Sequence, residues 1–484
     1  MQVARRRLSK WLWVVIAMVI GAAGCQSEPL PPTPTPMPAL PQPPTAPPTA
    51  AAKPAPTPTV SAILNVQLEN TLGTGWARGE VIWSSDSRFV AMTFWADTLA
   101  QTYIVDSRTG ESFELTTDEG NVGRVAWSPD GKRIAGVSGG DMDSERQGVW
   151  SFAGGYTTKL LGGVCEDLVW SPDGNTLVAT CELVVREPDA DPRMGGGQLW
   201  RVDASGQNAR RLVDLVMLPL VAWSSGTAFD TARRPVWSPD GKRIAFEARS
   251  GIKSLTPEMA VGVMGAGGES ARLVVARSVW LGGWLADERL IVRSHTAPPS
   301  VEDYTDDFYA VDLTTDQLEN LTRSNPNCEP LHAERVTCRG AQRQVGLDGD
   351  YFGLAPSRRK YFYRAASRNE IVGGQSFKDW LIVNTFPSSD LTLEQSVERT
   401  DPAGERLGSA AWLNDGRLAF VRTTGFDPEQ GAPAGKVTAQ FVVDGKVVRK
   451  EDVGTWGVFA VGWSPDGRRV AVATDFGVIL YGLP

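Results

Sequence analysis

The chain has 484 residues, 42% of them apolar, with 48 basic against 56 acidic side chains and a formal net charge of −8. That balance excludes a nucleic-acid binder, which needs clustered Lys and Arg to neutralise phosphates. Two His against 17 Trp favours the stacking of large side chains over proton transfer, because His is the side chain whose unperturbed pKa lies nearest neutrality.

Residues 1–24 carry a basic start (Arg5, Arg6, Arg7, Lys10), an apolar run from Trp11 to Ala23, and Gly24 before Cys25. The run is shorter than the roughly 20 residues that span a bilayer, so it predicts an export signal rather than a membrane anchor. Ala22-Ala23-Gly24-Cys25 resembles the end of a bacterial lipoprotein signal, which implies lipidation at Cys25 and an extracytoplasmic, membrane-attached protein. The match departs from that family at Ala22, where Leu is commonest. Loss of these residues takes the net charge from −8 to −12.

From Pro29 to Thr59, 14 of 31 residues are Pro. Such a segment cannot form a core and favours extended polyproline II at about 3.1 Å per residue. Residues 25–59 are therefore expected to be a semi-rigid stalk, and residues 60–484 the folded domain.

In that domain one motif recurs: WSSDSRFVA at Trp83, WSPDGKRIA at Trp127, WSPDGNTLVA at Trp170, WSPDGKRIA at Trp237, WLADERLIV at Trp284, LAPSRRKYFY at Leu354, WLNDGRLAF at Trp412 and WSPDGRRVAV at Trp463. Successive copies lie 44, 43, 67, 47, 70, 58 and 51 residues apart. A base period near 44 with short apolar strands points to propeller blades, each of four strands. In the second copy the expected strands are Gly123–Trp127, Lys132–Val137, Gly148–Phe152 and Thr157–Leu161. Ser-Pro-Asp-Gly joins the first two: Pro presets φ, Asp bonds back to the backbone, and Gly accepts the left-handed conformation. Repeated WSPDG with a following basic pair resembles the TolB-type, WD-like β-propeller repeat. That resemblance implies an all-β propeller of eight four-stranded blades, or seven if the Leu354 copy is not a repeat.

The last motif is followed by two strands, Arg468–Ala473 and Val478–Tyr481, and Ile63–Glu69 has no blade of its own. Pairing of Ile63–Glu69 as the missing fourth strand would close the ring and remove the open sheet edge. If the turn at Asp173 sets Trp170 opposite Thr176, Cys165 falls opposite Cys181, close enough to bridge. An exported chain permits such bonds, and Cys328 with Cys338 would form the second.

The aspartates Asp130, Asp173, Asp240 and Asp466 recur once per repeat, as corner residues do and catalytic groups do not. Trp83, Trp127, Trp170, Trp237, Trp284, Trp412 and Trp463 are expected to pack between blades, each burying on the order of 200 Å². Gly136 to Gly140 matches G-x-S-x-G around Ser138, but ends a strand without the following helix that a nucleophile elbow needs. His295 and His332 stand in separate insertions, so no catalytic metal is expected. Asp141, Asp143 and Glu145, then Glu187, Asp189 and Asp191, then Glu302, Asp303, Asp306 and Asp307 form acidic loops without a calcium-loop spacing. No cofactor is expected.

Insertions 141–147, 187–196, 251–258, 296–306, 367–378 and 423–435 follow second strands, and 217–234 and 324–348 follow fourth strands. All emerge on the face opposite the short corners. Loops on a rigid scaffold are where binding evolves. The sequence thus predicts a non-enzymatic module that binds a protein, peptide or glycan on its membrane-distal face. The alternative is a propeller hydrolase acting on peptides or glycans. A prolyl-oligopeptidase-like hydrolase domain would need some 200 residues, and only Pro484 follows the last expected blade. A glycan-cleaving propeller would need paired carboxylates at the channel mouth.

Overall fold

The computed structural model describes residues 64–66, 77–96, 99–117, 120–138, 147–182, 197–215, 218, 229–250, 258–276, 279–295, 306–321, 344–371, 374–385, 396–399, 406–426, 433–454, 460–474 and 477–483. Among them there is no α-helix; the chain is all-β, in antiparallel four-strand meanders. The meanders span 77–117, 120–162, 164–211, 229–276, 279–320, 344–399, 406–454 and 460–482. The eighth has three strands of its own and takes Leu64–Val66 as its fourth, with Leu64 opposite Leu480 and Val66 opposite Val478. The first two meanders share one sheet through the pairs Thr116–Asn121 and Thr117–Gly120.

The second repeat shows how closely turn chemistry sets the strands. Its four strands are Gly120–Trp127, Ile134–Ser138, Gly148–Ala153 and Tyr156–Gly162. At its corner the Ser128 hydroxyl donates to Asp130 Oδ1 (2.6 Å) and accepts the Arg133 amide (3.0 Å), while Asp130 Oδ1 accepts the Lys132 amide (3.1 Å). The same serine-to-aspartate bond forms at Asp173 (2.5 Å), Asp240 (2.6 Å) and Asp466 (2.7 Å). Gly131 takes φ +70° there, which a side chain would make costly.

The motif does more than turn the chain. Five indole N–H groups reach back to the preceding repeat: Trp127 donates to the Ile82 carbonyl (3.2 Å), Trp170 to Ala126 (3.1 Å), Trp284 to Val236 (3.0 Å), Trp412 to Gly353 (3.0 Å) and Trp463 to Ser409 (2.8 Å). Trp83 in the first repeat donates to Gly462 in the last (2.8 Å). Gly462 has no room for a Cβ, which would sit 2.5 Å from Val81 Cγ1. Buried apolar side chains fill the same seam: Trp83, Val90, Met92 and Tyr103 of the first repeat form one core with Ala471, Ala473, Val478 and Leu480 of the last.

The Cys165 and Cys181 sulfurs lie 2.11 Å apart, and the two residues are directly opposed, with Cα atoms 4.0 Å apart. The register behind that expectation is corrected, however. Trp170 faces Leu177, not Thr176, because the corner holds six residues between the paired positions; a bulge between Cys165 and Leu168 then shifts the strand back by one. Two offsets cancel. Segment 367–378 is not a loop either. Strands Lys360–Ile371 and Gly374–Thr385 pair along its described residues, from Ser367 opposite Lys378 to Ile371 opposite Gly374. Residues 229–234 and 344–348 likewise belong to strands Phe229–Trp237 and Gln344–Leu354. The export signal, Cys25, the stalk, Cys328 and Cys338 lie outside the described residues.

Candidate functional site

The first strands of successive repeats approach one another, including those of the first and eighth. In five of them a bulge lies near the third residue before the motif tryptophan. The register shifts between Gly123 and Val125, Cys165 and Leu168, Arg233 and Val236, Leu281 and Gly283, and Gly408 and Ala411. Arg124, Arg234 and Ser409 sit there at φ 42°, 49° and 49°, a left-handed conformation uncommon for residues other than Gly. A bulge leaves its residue out of the ladder and re-aims its side chain. In Phe229–Trp237 it also accommodates Pro235, which has no N–H to give.

In the first four repeats this position is charged: Glu80, Arg124, Asp167 and Arg234. The charges alternate and touch across repeats. Arg124 Nη1 lies 3.3 Å from Asp167 Oδ1, and Asp167 Oδ2 accepts the Arg234 amide at 2.9 Å. Arg234 Nη1 reaches Glu247 Oε1 at 3.0 Å, and Arg233 Nε lies 3.3 Å from Oε2 of the same carboxylate. Glu247 is fully buried, and its Oε1 also accepts the Leu281 amide of the fifth repeat (2.9 Å). In the fifth, seventh and eighth repeats the same position holds Leu281, Ser409 and Ala460, so the charge lies to one side.

Glu80 begins the run. Glu80 is exposed, so solvent keeps the effect small; the protein packed beside it raises its carboxyl above the ordinary carboxylate range, and the charge of Arg124 offsets this in part. A proton bound more tightly in the folded than in the unfolded state means that ionisation of Glu80 opposes folding at neutral pH. The Glu80→Gln variant is expected to melt at a higher temperature than the parent at pH 7. That gain should disappear as pH falls into the ordinary carboxylate range, where Glu80 is itself protonated; melting curves across pH 3–8 check this.

The residues singled out from the sequence fall elsewhere. Ser138 is buried on its strand, accepts the Trp150 indole N–H at 2.9 Å and donates to the Gly148 carbonyl at 3.3 Å, so it is not presented as a nucleophile. The corner aspartates are held by their own turns. For Asp173 and Asp240 the Ser171 and Ser238 hydroxyls, then the amides of Asn175 and Lys242, keep the carboxyl below its usual range. For Asp130 partial burial pushes upward, but Ser128, the Lys132 amide and the charges of Arg133 and Lys132 outweigh it. Asp306 pairs with His295 and Asp307 with Ser294 along adjacent strands. The other acidic loop residues and His332 lie outside the described residues, among which no three His, Cys, Asp or Glu side chains converge as metal ligands would. Sequence reasoning missed Glu80, Arg124, Asp167, Arg234 and Glu247. The signal was present as a charged residue three before the tryptophan in four consecutive repeats.

An all-β, propeller-like fold with this geometry defines the class to which the chain's likenesses belong. No family model matches the chain. A curated relative, the uncharacterized peptidase YuxL of Bacillus subtilis (strain 168), is 28% identical over 165 residues, 30% of this chain and 24% of the relative. Among solved structures, one from a study of two prolyl endopeptidases superposes with a TM-score of 0.51 at 13% identity, covering 85% of this chain and 55% of that one. An oligogalacturonate lyase from Vibrio parahaemolyticus gives 0.45 at 13% identity, over 84% of this chain and 99% of the lyase. The chain thus spans about a quarter of the curated relative and about half of the prolyl endopeptidase. The expectation that the chain is not an enzyme does not stand against a relative that is named as a peptidase.

Proposed function

We propose that the chain is an exported, lipid-anchored propeller of the TolB-like kind, with eight blades closed by Leu64–Val66, and that it acts in peptide hydrolysis. The peptide enters where the first strands converge. The alternating run Glu80, Arg124, Asp167, Arg234 carries this reading, since it offers carboxylate and guanidinium groups in succession to a backbone whose ends and side chains bear both signs. The peptidase-named relative supports hydrolysis as the outcome, and the likeness to a prolyl endopeptidase supports the scaffold. Attachment through Cys25 follows from the lipoprotein-like signal. Leu64–Val66 runs antiparallel to Gly477–Gly482, so its first residue lies toward the short-corner side; a stalk arriving there turns the other face from the membrane.

The test incubates the full chain with a mixture of short peptides, about half of them proline-containing, and follows them by mass spectrometry. Cleavage is expected, with a rate lowered at least tenfold in Arg124→Ala. An uncut mixture, under conditions in which a control peptidase digests it, overturns the hydrolytic reading.

A further inference from the structure

The third corner departs from the first, second and fourth at the sixth residue after its tryptophan. In the first repeat that residue is Phe89, stacked on Trp127 with ring centroids 6.1 Å apart and planes 20° from parallel. In the second it is Arg133, whose guanidinium lies 5.0 Å over Trp170 and donates to the Gly174 carbonyl at 2.5 Å. In the fourth it is Arg243, 4.9 Å over Trp284. Each side chain reaches forward and covers the next repeat's tryptophan. In the third repeat the residue is Thr176, too short to reach, and Asn175 stands where two of these repeats have Lys. The same junction is irregular in a second way: the Trp237 indole N–H has no acceptor among the described residues, whereas Trp127, Trp170, Trp284, Trp412 and Trp463 donate backward.

At this corner lies a solvent-open depression of about 540 Å³, within the roughly 300–1,000 Å³ typical of small-molecule sites. Thr176 lines it together with Arg133, Asp173, Asn175, Arg201 and Asp203. Its charges do not neutralise one another. Arg133 donates to the Gly174 carbonyl and Arg201 to the Ala266 carbonyl (2.9 Å), and neither is ion-paired among the described residues. Asp173 accepts from Ser171 and Asn175, and Asp203 from the Asn208 amide (2.6 Å), all uncharged donors. Two guanidiniums and two carboxylates thus face one cavity, none of them in an ion pair among the described residues, though the charge of Arg133 is also felt by Asp130 of its own corner. A simple anion there would meet the aspartates and a simple cation the arginines. A ligand bearing both charges at its two ends satisfies all four, with its carboxylate in reach of the guanidinium forks.

We propose that this depression binds a small zwitterion, a free amino acid or short unblocked peptide, with its carboxylate on Arg133 and Arg201 and its ammonium on Asp173 and Asp203. The site is separate from the charged run on the first strands, and the proposal does not depend on hydrolysis.

Thr176→Arg is the informative variant because it introduces the residue that the chain uses at this place in the second and fourth repeats, filling the cavity at the cost of the Thr176 hydroxyl's bond to Ser171 Oγ (3.1 Å). The full chain is melted with increasing glycylglycine, and with N-acetylglycylglycine and glycylglycinamide as singly charged controls. Glycylglycine is expected to raise the melting temperature, as any ligand of the native state must, and each control to need at least tenfold higher concentration for the same shift. Thr176→Arg should still melt in one cooperative transition and lose the response. Asp203→Asn, which keeps an acceptor for Asn208, should lose it at least tenfold. No shift with glycylglycine, equal shifts with the blocked peptides, or an unchanged response in both variants overturns the proposal.

Discussion

A chain lacking Asp475 to Pro484 is expected to recover no cooperatively melting protein, whereas one that begins at Val60 should melt like the parent. The deletion removes Gly477–Gly482, the strand between Arg469–Thr474 and Leu64–Val66. Val478, Leu480 and Tyr481 on it are almost wholly buried, and at about 1.5–3 kcal/mol for each large apolar side chain they contribute roughly 5–9 kcal/mol. That is comparable with the whole stability of a typical domain, about 5–15 kcal/mol. The loss also strands Leu64–Val66 without a partner and opens the core that Trp83, Val90 and Met92 share with the last repeat. Circular dichroism and calorimetry on the two truncations decide the matter. A soluble C-terminal truncation with a sharp, single melting transition would show that the closing strand is dispensable.

Glu247→Ala is expected to destabilise the protein by about 3 kcal/mol, near the lower end of the cost of breaking a buried ion pair. The lower end applies because Arg233 and Arg234 keep 30% and 52% of their side-chain surface and can rehydrate. What cannot rehydrate is the Leu281 amide, which loses the acceptor that links the fourth repeat to the fifth. Glu247→Gln keeps an oxygen for that amide and should cost about 1–2 kcal/mol, the scale of a charged hydrogen bond made neutral. Denaturant titrations of both variants separate the two contributions: equal losses would place the whole effect in the arginine contacts.

The repeat was legible because turn chemistry is local. Ser, Pro, Asp and Gly dictate a corner wherever they fall in that order, and the spacing of the corners marks the meanders. The Leu354 copy, weakest in sequence, is a full meander because its strands pair whatever its first residue is; Gly353 still accepts the Trp412 indole there. Register was less legible. A bulge inserts a residue without any composition of its own, so the Cys165–Cys181 opposition emerged from a corner read one residue short and a bulge not foreseen. Residues 367–378 read as insertion because polar residues such as Arg368, Asn369 and Glu370 lack the apolar alternation of a half-buried strand. The charged run escaped for a different reason. Arg124 and Asp167 are 43 residues apart, and only the closeness of neighbouring first strands makes them partners.

The direction of the indole bonds sets a timetable for making the protein. Each tryptophan from Trp127 onward that bonds backward finds its acceptor already synthesised. Trp83, the earliest, donates to Gly462, 379 residues downstream. The first-made repeat is therefore the last to be completed, and its half-finished surface must be kept from aggregating until nearly the whole polypeptide has emerged. A chain so arranged folds late and all together, so a ribosome that stalls in the seventh repeat yields not a smaller working protein but an unfinished one.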